Sequence, residues 1–295
     1  MIEKLIQNGI IDVKDVALVK DWSNKHNTNI VFLDATFVLP TSDINIKEDF
    51  IKQHIPDALF FDIKAVADST SDLPHMLPPA RVFETALSGL GITNNDLIIV
   101  YGQHGMIMGP ARVWWMLKGF GHTRTLVLNG GLPAWGNTDL PMENGEQRKV
   151  KPSNYTTHPF DHNKIIDMKK LIQLVEKPDT QIIDARPSAR FSGTSPEPRS
   201  GMRSGHIPNS INIPCSQIVD QDGKIRSYDD IKNLFLDSGI HLNNEPIITT
   251  CGSGITACAL SLALYSIGHT NVSVYDGSWS EWGLEASPTP VEKST

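Results

Sequence analysis

A series of short sequence signals occurs twice in this chain, about 150 residues apart. In chain order the pairs are an apolar run ending in Asp-Ala (30–35 and 181–185), a His-Ile-Pro turn (54–58 and 206–210), a second apolar run (96–101 and 245–250) and a Gly-His pair (121–122 and 268–269). Four signals recurring in one order indicate a tandem duplication. We therefore expect two similar domains, which a length of 295 residues also allows.

Each repeat alternates short β-rich runs with stretches of helical character. Residues 98–101 and 247–250 are too short and too uniformly apolar for surface helices, so they are predicted to be buried parallel strands. Residues 257–267 are strong helix formers that stop before Gly268. Strands that alternate with helices predict an α/β fold, in which each repeat is a parallel sheet flanked by helices.

The segment between the repeats has a different character. Residues 141–164 are polar, contain three prolines and lack apolar periodicity. We therefore predict a first domain over 1–145, a linker over 146–164 and a second domain over 165–295.

Charge and hydropathy exclude several classes of function. Lys and Arg number 26 against 33 Asp and Glu, for a net charge of −7, and no dense basic block is present. Nucleic acid is therefore not an expected partner, because phosphate contacts dominate that affinity. No apolar stretch approaches the ~18 residues of a membrane span. Residues 1–14 lack the pattern of a secretory signal, so a cytoplasmic location without membrane partners is expected.

The most informative cysteine follows the strand predicted at 247–250. There the chain reads Cys-Gly-Ser-Gly-Ile-Thr-Ala and then enters the predicted helix. Glycines allow backbone N–H groups to converge on an anion beside a positive helix end. A cysteine in that field is a stabilised thiolate and hence a nucleophile. Cys251 is the candidate, and the anion-binding amides are predicted at Gly252, Gly254, Ile255 and Thr256.

The competing interpretation of Cys251 is a packed core thiol. The corresponding loop of the first repeat begins near Gly102-Gln103-His104-Gly105, is about two residues longer and has no cysteine. We therefore expect one reactive repeat and one inactive repeat.

Taken as a whole, the chain resembles the two-domain rhodanese-fold sulfurtransferases. Supporting matches are Phe-Phe-Asp-Ile (60–63), His-Met-Leu-Pro (75–78), Pro-Ala-Arg-Val-Trp-Trp (110–115) and Gly-Ser-Trp-Ser-Glu-Trp (277–282). The Cys251 loop is similar to the active loop of the family members that use 3-mercaptopyruvate. The resemblance implies tandem rhodanese-like domains and an enzyme that carries sulfur on its cysteine as a persulfide. No cofactor is expected, and no metal, since the cysteines lack a paired zinc-ligand spacing.

The residues after the cysteine bear on the sulfur donor. Thiosulfate carries two negative charges, and the similar thiosulfate enzymes place Arg and Lys there, whereas Gly252 and Ser253 are neutral. A monocarboxylate such as 3-mercaptopyruvate is therefore the predicted substrate. Arg190 and Arg199 lie in a loop rich in Pro and Gly, and a guanidinium binds a planar carboxylate through paired N–H groups. The resemblance implies that both bind the substrate's carboxylate and keto oxygen.

The resemblance also implies a proton relay of a serine, a histidine and an acid. Ser253 and His75 match its first two members. The position of the acid holds Lys64, and Asp62 is nearby in sequence. A relay between Ser253 and His75 is therefore predicted, with its third member open.

Other reactive side chains are expected to have structural roles. Arg186 is predicted to form a salt bridge, and Arg112 to be structural. Cys258 lies about two helical turns after Cys251, too far for a disulfide, and is predicted to lie in the core. For Cys215 both packing and a peripheral redox role stay open.

Three alternatives to a mercaptopyruvate enzyme are a thiosulfate:cyanide sulfurtransferase, a phosphatase and a non-catalytic interaction module. A phosphatase loop needs an arginine to hold the phosphoryl oxygens, and residues 251–261 contain neither Arg nor Lys. The retained cysteine argues against the interaction module. The sulfur acceptor stays open among cyanide, thioredoxin, glutathione, another thiol and a sulfur-carrier protein.

Overall fold

A computed structural model describes residues 2–39, 42–177 and 179–294. The chain divides into two compact units. The first comprises the described residues of Met1–Asp68, Pro78–Phe160 and Asp220–Ile225, and the second those of Ser69–Leu77, Asp161–Val219 and Arg226–Thr295. The domain bounds inferred from the sequence, 1–145 and 165–295, stay a prediction.

The described part of the first unit contains five strands and six α-helices. The strands are β1 (Ile10–Ile11), β2 (Ile30–Asp34), β3 (Leu59–Phe60), β4 (Leu97–Tyr101) and β5 (Thr125–Leu128). The helices are α1 (Ile2–Asn8), α2 (Val16–His26), α3 (Ile46–Lys52), α4 (Ala80–Gly89), α5 (Met108–Gly119) and α6 (Gly131–Gly136), and Val13–Asp15 form a 3-10 turn.

The described part of the second unit contains five strands and five α-helices. The strands are β6 (Ile165–Ile166), β7 (Gln181–Asp184), β8 (Ser210–Asn212), β9 (Ile247–Thr250) and β10 (Val272–Tyr275). The helices are α7 (Met168–Leu174), α8 (Ser188–Ser192), α9 (Tyr228–Asp237), α10 (Ile255–Ser266) and α11 (Ser278–Trp282), with 3-10 turns at His162–Lys164 and Cys215–Ile218.

Both units have the same sheet topology. The strand order is β1-β5-β4-β2-β3 in the first unit and β6-β10-β9-β7-β8 in the second, and all pairs are parallel. Since β1 to β5 correspond in order to β6 to β10, the two sheets are copies of one plan. The predicted α/β fold of two helix-flanked parallel sheets is confirmed.

The predicted strands and helix are close to those observed. β4 begins one residue before the predicted start and β9 has the predicted bounds, and both are buried along their length. The helix predicted at 257–267 is α10, which begins two residues earlier, at Ile255. Nine of its twelve residues are buried, as expected of a helix that is apolar on all sides and lies inside its unit.

The duplication extends to side-chain contacts at the two His-Ile-Pro turns. His54 Nδ1 lies 2.8 Å from Phe50 O, and the His54 ring stacks on that phenylalanine. His206 repeats the arrangement with Phe191, again with Nδ1 2.8 Å from the carbonyl oxygen. Three residues after each histidine, Asp57 (φ 61°) and Asn209 (φ 60°) adopt the left-handed conformation, which Asp and Asn tolerate better than most residues.

The segment before the second unit follows the surface of the first. Over 144–160 the described chain has neither helix nor strand. The N–H of Ser153 donates to Ser88 O at 2.9 Å, and the buried Tyr155 places its hydroxyl 3.0 Å from His122 Nδ1. None of the helices in the described ranges is long and apolar enough to span a membrane.

Candidate active site

Cys251 is the first residue after β9, at the carboxyl edge of the second sheet, where sites of parallel α/β folds form. It is 1% exposed and is a free thiol. Four residues, 251–254, connect β9 to α10. Gly254 makes the turn into the helix with φ 77°, a left-handed conformation that glycine adopts without a steric penalty.

The backbone amides of this loop fall into two groups. The N–H groups of Cys251 and Gly254 each donate to Ser278 Oγ at 3.1 Å. Among the described residues, no acceptor takes the N–H groups of Gly252, Ser253, Ile255 and Thr256. Ile255 and Thr256 open α10, where the first amides of a helix have no intrahelical partner.

The unpaired amides and the start of α10 give this loop the character of an anion site. No side chain caps α10, because its N-cap residue is Gly254. The N–H of Gly254, which the sequence placed in the anion site, is used inside the loop by Ser278.

Ser253 and His75 are brought together although 178 residues separate them in sequence. Ser253 Oγ lies 3.2 Å from His75 Nδ1. His75 has a left-handed backbone with φ 62°. Two residues later, the N–H of Leu77 donates to Asp276 Oδ2 at 2.6 Å, which ties the His75 segment to the end of β10.

Arg190 lies against the cysteine loop. Its Nη2 is 3.1 Å from the point where a Cβ on Gly252 would be. The guanidinium is held by Glu197, whose carboxylate accepts from Nη2 and, at 3.2 Å, from Nε. Arg190 is therefore oriented by a partner that the sequence reasoning did not identify.

Glu197 also accepts from Arg186 Nη1 at 2.8 Å. Arg186 in turn donates through Nη2 to Asp184 Oδ2 at 2.7 Å. The side chains of Asp184, Arg186 and Glu197 are each at most 4% exposed. The predicted structural salt bridge of Arg186 is thus observed. Its neighbours Asp184 and Glu197 hold the pKa of Arg186 above its ordinary value against the opposing effect of burial.

Arg199 lies within electrostatic range of Cys251. Burial and the nearby charge of Arg190 lower the pKa of Arg199, and the negative charges of Cys251 and Glu197 act in the opposite direction. Among the described residues, Arg199 has no hydrogen bond or salt bridge. Its guanidinium is therefore a cation near the cysteine that has no bound carboxylate in the part of the chain that the structure describes.

The other two cysteines are also free thiols. Cys258 is fully buried in α10, and its Sγ donates to Gly254 O at 3.2 Å, so the prediction of a core residue is confirmed. Cys215 begins the 3-10 turn after β8, and its N–H donates to Ala185 O. Burial, and secondarily the Cys251 charge, raise the pKa of the Cys215 thiol to about 12.

Asp62, near the expected position of the relay acid, has local partners in the first unit. Its Oδ1 accepts the N–H groups of Lys64 and Ala65 at 3.0 and 3.2 Å, and its Oδ2 lies 3.8 Å from Lys47 Nζ. Arg112, predicted to be structural, is buried, with its guanidinium 4.7 Å from the Trp115 ring centroid.

Two residues at the site were missed by the sequence reasoning. Glu197 stands in a Pro-Glu-Pro-Arg stretch between the two candidate arginines, and an acid there was an available signal. Ser278 lies in a match to the family pattern, but nothing local to it indicates a contact with a loop 24 to 27 residues away.

Comparison with known proteins agrees with the geometry. The model of the rhodanese-like domain matches twice, over residues 33–138 and 167–285. A 3-mercaptopyruvate sulfurtransferase of Escherichia coli K12 is 38% identical over 275 residues, covering 92% of this chain and 96% of that protein. The mitochondrial thiosulfate/3-mercaptopyruvate sulfurtransferase 1 of Arabidopsis thaliana is 37% identical, covering 92% of this chain and 76% of that protein.

Among solved structures, SseA from Escherichia coli, described as a 3-mercaptopyruvate sulfotransferase with the rhodanese fold, superposes with a TM-score of 0.77. It is 34% identical, and the match covers 92% of this chain and 99% of that one. The chain therefore belongs to the rhodanese family and, within it, to the 3-mercaptopyruvate sulfurtransferase family, as its resemblance in sequence predicted.

Proposed function

We propose that this protein transfers the sulfur of 3-mercaptopyruvate, through a persulfide on Cys251, to a thiol or cyanide acceptor and releases pyruvate. The observation that carries the proposal is the position of Cys251 in a loop with four unpaired amides, beside Arg190 and Arg199. Such a loop stabilises an anionic sulfur, and the arginines suit a carboxylate substrate.

In the first half-reaction, the Cys251 thiolate attacks the sulfur of mercaptopyruvate. A sulfur–sulfur bond forms, the carbon–sulfur bond breaks, and its electron pair passes to the carbon as the enolate of pyruvate. The outer sulfur of the persulfide keeps its hydrogen. The enolate then takes a proton from Ser253 and becomes pyruvate, and Ser253 recovers a proton through its hydrogen bond to His75.

In the second half-reaction, the acceptor attacks the outer sulfur of the persulfide. The sulfur–sulfur bond breaks and its electron pair returns to Cys251 as the thiolate. With cyanide the product is thiocyanate, and the proton of the outer sulfur returns to the Ser253–His75 pair, which supplied one to the enolate. With a thiolate the product is the persulfide of that thiol, which keeps the hydrogen, and the pair regains its proton from the thiol as the thiolate forms. The loop amides stabilise the anionic sulfur in both halves, without reorganising between them.

The arginines divide the work of substrate binding. Arg199 has no bound carboxylate among the described residues and is free to take the carboxylate of the substrate. Arg190, held by Glu197 beside Gly252, is placed to donate to the keto oxygen. The keto oxygen gains negative charge as the enolate forms, so a donor there stabilises the transition state.

Thiosulfate is the alternative donor, and neutral Gly252 and Ser253 argue against it because thiosulfate is a dianion. Steady-state turnover with each donor, using cyanide as acceptor, separates the two. We expect a strong preference for mercaptopyruvate and loss of turnover in Cys251→Ser. A preference for thiosulfate would refute the argument from charge, and no turnover with either donor would favour a non-catalytic interaction module.

The physiological acceptor and location need separate experiments. Comparing cyanide, thioredoxin and glutathione as acceptors of the loaded Cys251 persulfide ranks their rates directly. Mass spectrometry of the protein after one equivalent of donor, without acceptor, should show the mass of one added sulfur on the peptide that contains Cys251. The proposed cytoplasmic location is tested by cell fractionation.

A further inference from the structure

The segment Asp276–Ser280, which follows β10 and begins α11, contacts three separate parts of the site. It binds the cysteine loop through Ser278, the His75 segment through Asp276, and the arginine network through Trp279. It overlaps the Gly-Ser-Trp-Ser-Glu-Trp match at 277–282, for which the sequence predicted no role in the site. We refer to it as the 276–280 segment.

Ser278 uses the full hydrogen-bonding capacity of its hydroxyl. Oγ donates to Tyr275 O at 2.7 Å and accepts the N–H groups of Cys251 and Gly254, each at 3.1 Å, and the Thr250 hydroxyl lies 3.3 Å away as a more distant donor. A hydroxyl has one hydrogen to donate and two lone pairs. Ser278 is fully buried, so this saturated hydroxyl holds the first and last residues of the 251–254 loop at a fixed point.

The backbone of the same segment binds the carbonyl groups of the loop. The N–H of Trp279 donates to Cys251 O at 2.9 Å, and the N–H of Ser280 donates to Gly252 O at 2.8 Å. These bonds fix the peptide planes after Cys251 and Gly252. The N–H groups of Gly252 and Ser253 lie in those two planes, so their directions are fixed as well.

The segment also reaches the two other parts of the site. Asp276 accepts the N–H of Leu77, two residues after His75. The Trp279 ring lies under the Arg186 guanidinium, with 4.3 Å between the guanidinium carbon and the ring centroid. Arg186 and Arg190 share the carboxylate of Glu197. The Trp279 ring is therefore linked, through Arg186 and Glu197, to the Arg190 guanidinium beside the cysteine loop.

The first unit shows what changes when the hydroxyl is missing. Gly131 stands at the position of Ser278, and the two have similar left-handed φ angles of 57° and 49°. The backbone bond is retained, since the N–H of Leu132 donates to Gly102 O at 2.9 Å, as Trp279 does to Cys251. A serine in this conformation costs free energy that glycine avoids, and its hydroxyl is the addition specific to the unit with the cysteine.

We propose that the 276–280 segment is the positioning element of the site and that Ser278 is its principal positioning residue. Ser278 occupies two amides of the loop and thereby turns the amides of Gly252, Ser253, Ile255 and Thr256 toward the sulfur, while Asp276 sets His75 against Ser253. The catalytic part of this inference rests on the proposed function.

The first test is Ser278→Gly, which gives the second unit the residue found in the first and keeps the backbone conformation accessible. The matched control is Ser266→Ala, which removes a hydroxyl that donates only to a carbonyl three residues earlier, Ala263 O. Two readouts are measured: sulfur transfer from mercaptopyruvate, and alkylation of Cys251 by iodoacetamide, a neutral reagent of about the substrate's size.

For Ser278→Gly we expect a loss of at least tenfold in kcat and in the alkylation rate, with KM changed less than threefold because the arginines remain. Ser266→Ala should stay within twofold of wild type in every measurement. Alkylation and kcat of Ser278→Gly within twofold of wild type, with a cooperative melting curve, would overturn the proposal.

A second pair of variants decides the case if Ser278→Gly does not fold. Asp276→Asn keeps an oxygen that can accept the N–H of Leu77, and Asp276→Ala does not. We expect kcat to fall at least tenfold in Asp276→Ala and less than threefold in Asp276→Asn. Equal kcat values in the two variants would refute the role of Asp276.

Failure of the proposed function is distinguishable from failure of this inference. The alkylation rate needs no sulfur donor, so it reports the presentation of Cys251 even if wild type does not turn over mercaptopyruvate. A wild-type protein inactive with mercaptopyruvate, but with a tenfold alkylation difference between it and Ser278→Gly, would refute the function and keep the positioning role.

Discussion

β4 and β9 occupy the same position in sheets of the same topology, but the loops that follow them differ in length and in chemistry. After β9 four residues lead to α10, and they begin with Cys251. After β4 six residues, 102–107, lead to α5, and they begin with Gly102. The buried aspartate that ends the neighbouring strand binds Arg186 in one unit, and Thr36 and Gln103 in the other.

In the first unit, the loop after β4 is in contact with residues 220–225, a segment from the second half of the sequence. Residues 220–225 belong to that unit, and a Cβ on Gly223 would lie 2.7 Å from Gly105 O. The N–H of Ile225 donates to Asn129 Oδ1 at 2.7 Å. The comparison teaches that the parallel sheet provides a place for a site, whereas the short loop, the cysteine and the buried charges provide the chemistry.

Moving the cysteine is the strongest way to break this comparison. We expect Gly102→Cys in a Cys251→Ser background to leave turnover at least ~1,000-fold below wild type. A Cβ at position 102 would lie 2.8 Å from Met106 O, so the new cysteine is sterically strained. Residues 35–58 correspond to the segment of the second unit that holds Arg190 and Arg199, and they contain no arginine. The measurement is mercaptopyruvate:cyanide turnover, and recovery above 1% of the wild-type rate would show that the fold alone suffices.

Removing the shared carboxylate tests whether the arginine network belongs to the second unit's function. Glu197→Gln leaves the Arg186 and Arg190 guanidiniums without their common partner, so we expect a loss of about 3 kcal/mol in the free energy of unfolding. Arg190 loses its orientation as well, and KM for mercaptopyruvate should rise roughly tenfold. Chemical denaturation and initial rates measure the two effects.

The matched change in the first unit is Gln103→Ala, which removes a donor to Asp34 Oδ2. It should cost about 1–2 kcal/mol in unfolding free energy and leave KM unchanged. An equal rise of KM in both variants would mean that Glu197 acts through general stability and not through Arg190.

Acidification should distinguish the units through the histidines of the Gly-His pairs. Burial lowers the pKa of His122 to about 4 and lowers that of His269 as well. Below pH 6.5 the unfolded state of each unit binds the proton more readily than the folded state, so stability falls as the pH falls toward 4. For His122 the loss between pH 7 and pH 5 is about 2 kcal/mol.

Hydrogen exchange resolved by peptide measures this loss separately in each unit. Peptides covering β4 and β5 should lose protection at pH 5 relative to pH 7, after correction for intrinsic exchange, and peptides covering β9 and β10 should lose less. The same loss in both sets would contradict a dominant contribution from His122.

Local signals allowed much of the fold and the nucleophile to be predicted. Apolar runs identified β4 and β9, and the Gly-Ser-Gly stretch after Cys251 indicated a loop at a helix start. The start of α10 was placed two residues late, because Gly254 turns directly into the helix with φ 77°. Helix propensity does not predict where this helix begins, because its start is determined by the left-handed conformation of Gly254.

The supporting contacts were beyond local signals. Ser278 binds a loop 24 to 27 residues earlier, and Asp276 binds a segment 199 residues earlier. Contacts of this kind depend on how strands order in the sheet, and no periodicity encodes them. His75 was identified only through the resemblance of the chain to its family, for the same reason.

The smallest expected effect concerns the contact between Gly252 of the cysteine loop and the Arg190 guanidinium. In Gly252→Ala the new Cβ would lie 3.1 Å from Arg190 Nη2, so the guanidinium must move by a few tenths of an ångström. Glu197 resists that movement, and we expect KM for mercaptopyruvate to rise about threefold with little change in kcat. Gly89→Ala, at the end of α4 with no atom within 4 Å of the new Cβ, is the control. An unchanged KM in Gly252→Ala would show that the Arg190 guanidinium adjusts freely to the new methyl group and that its position beside Gly252 does not limit substrate binding.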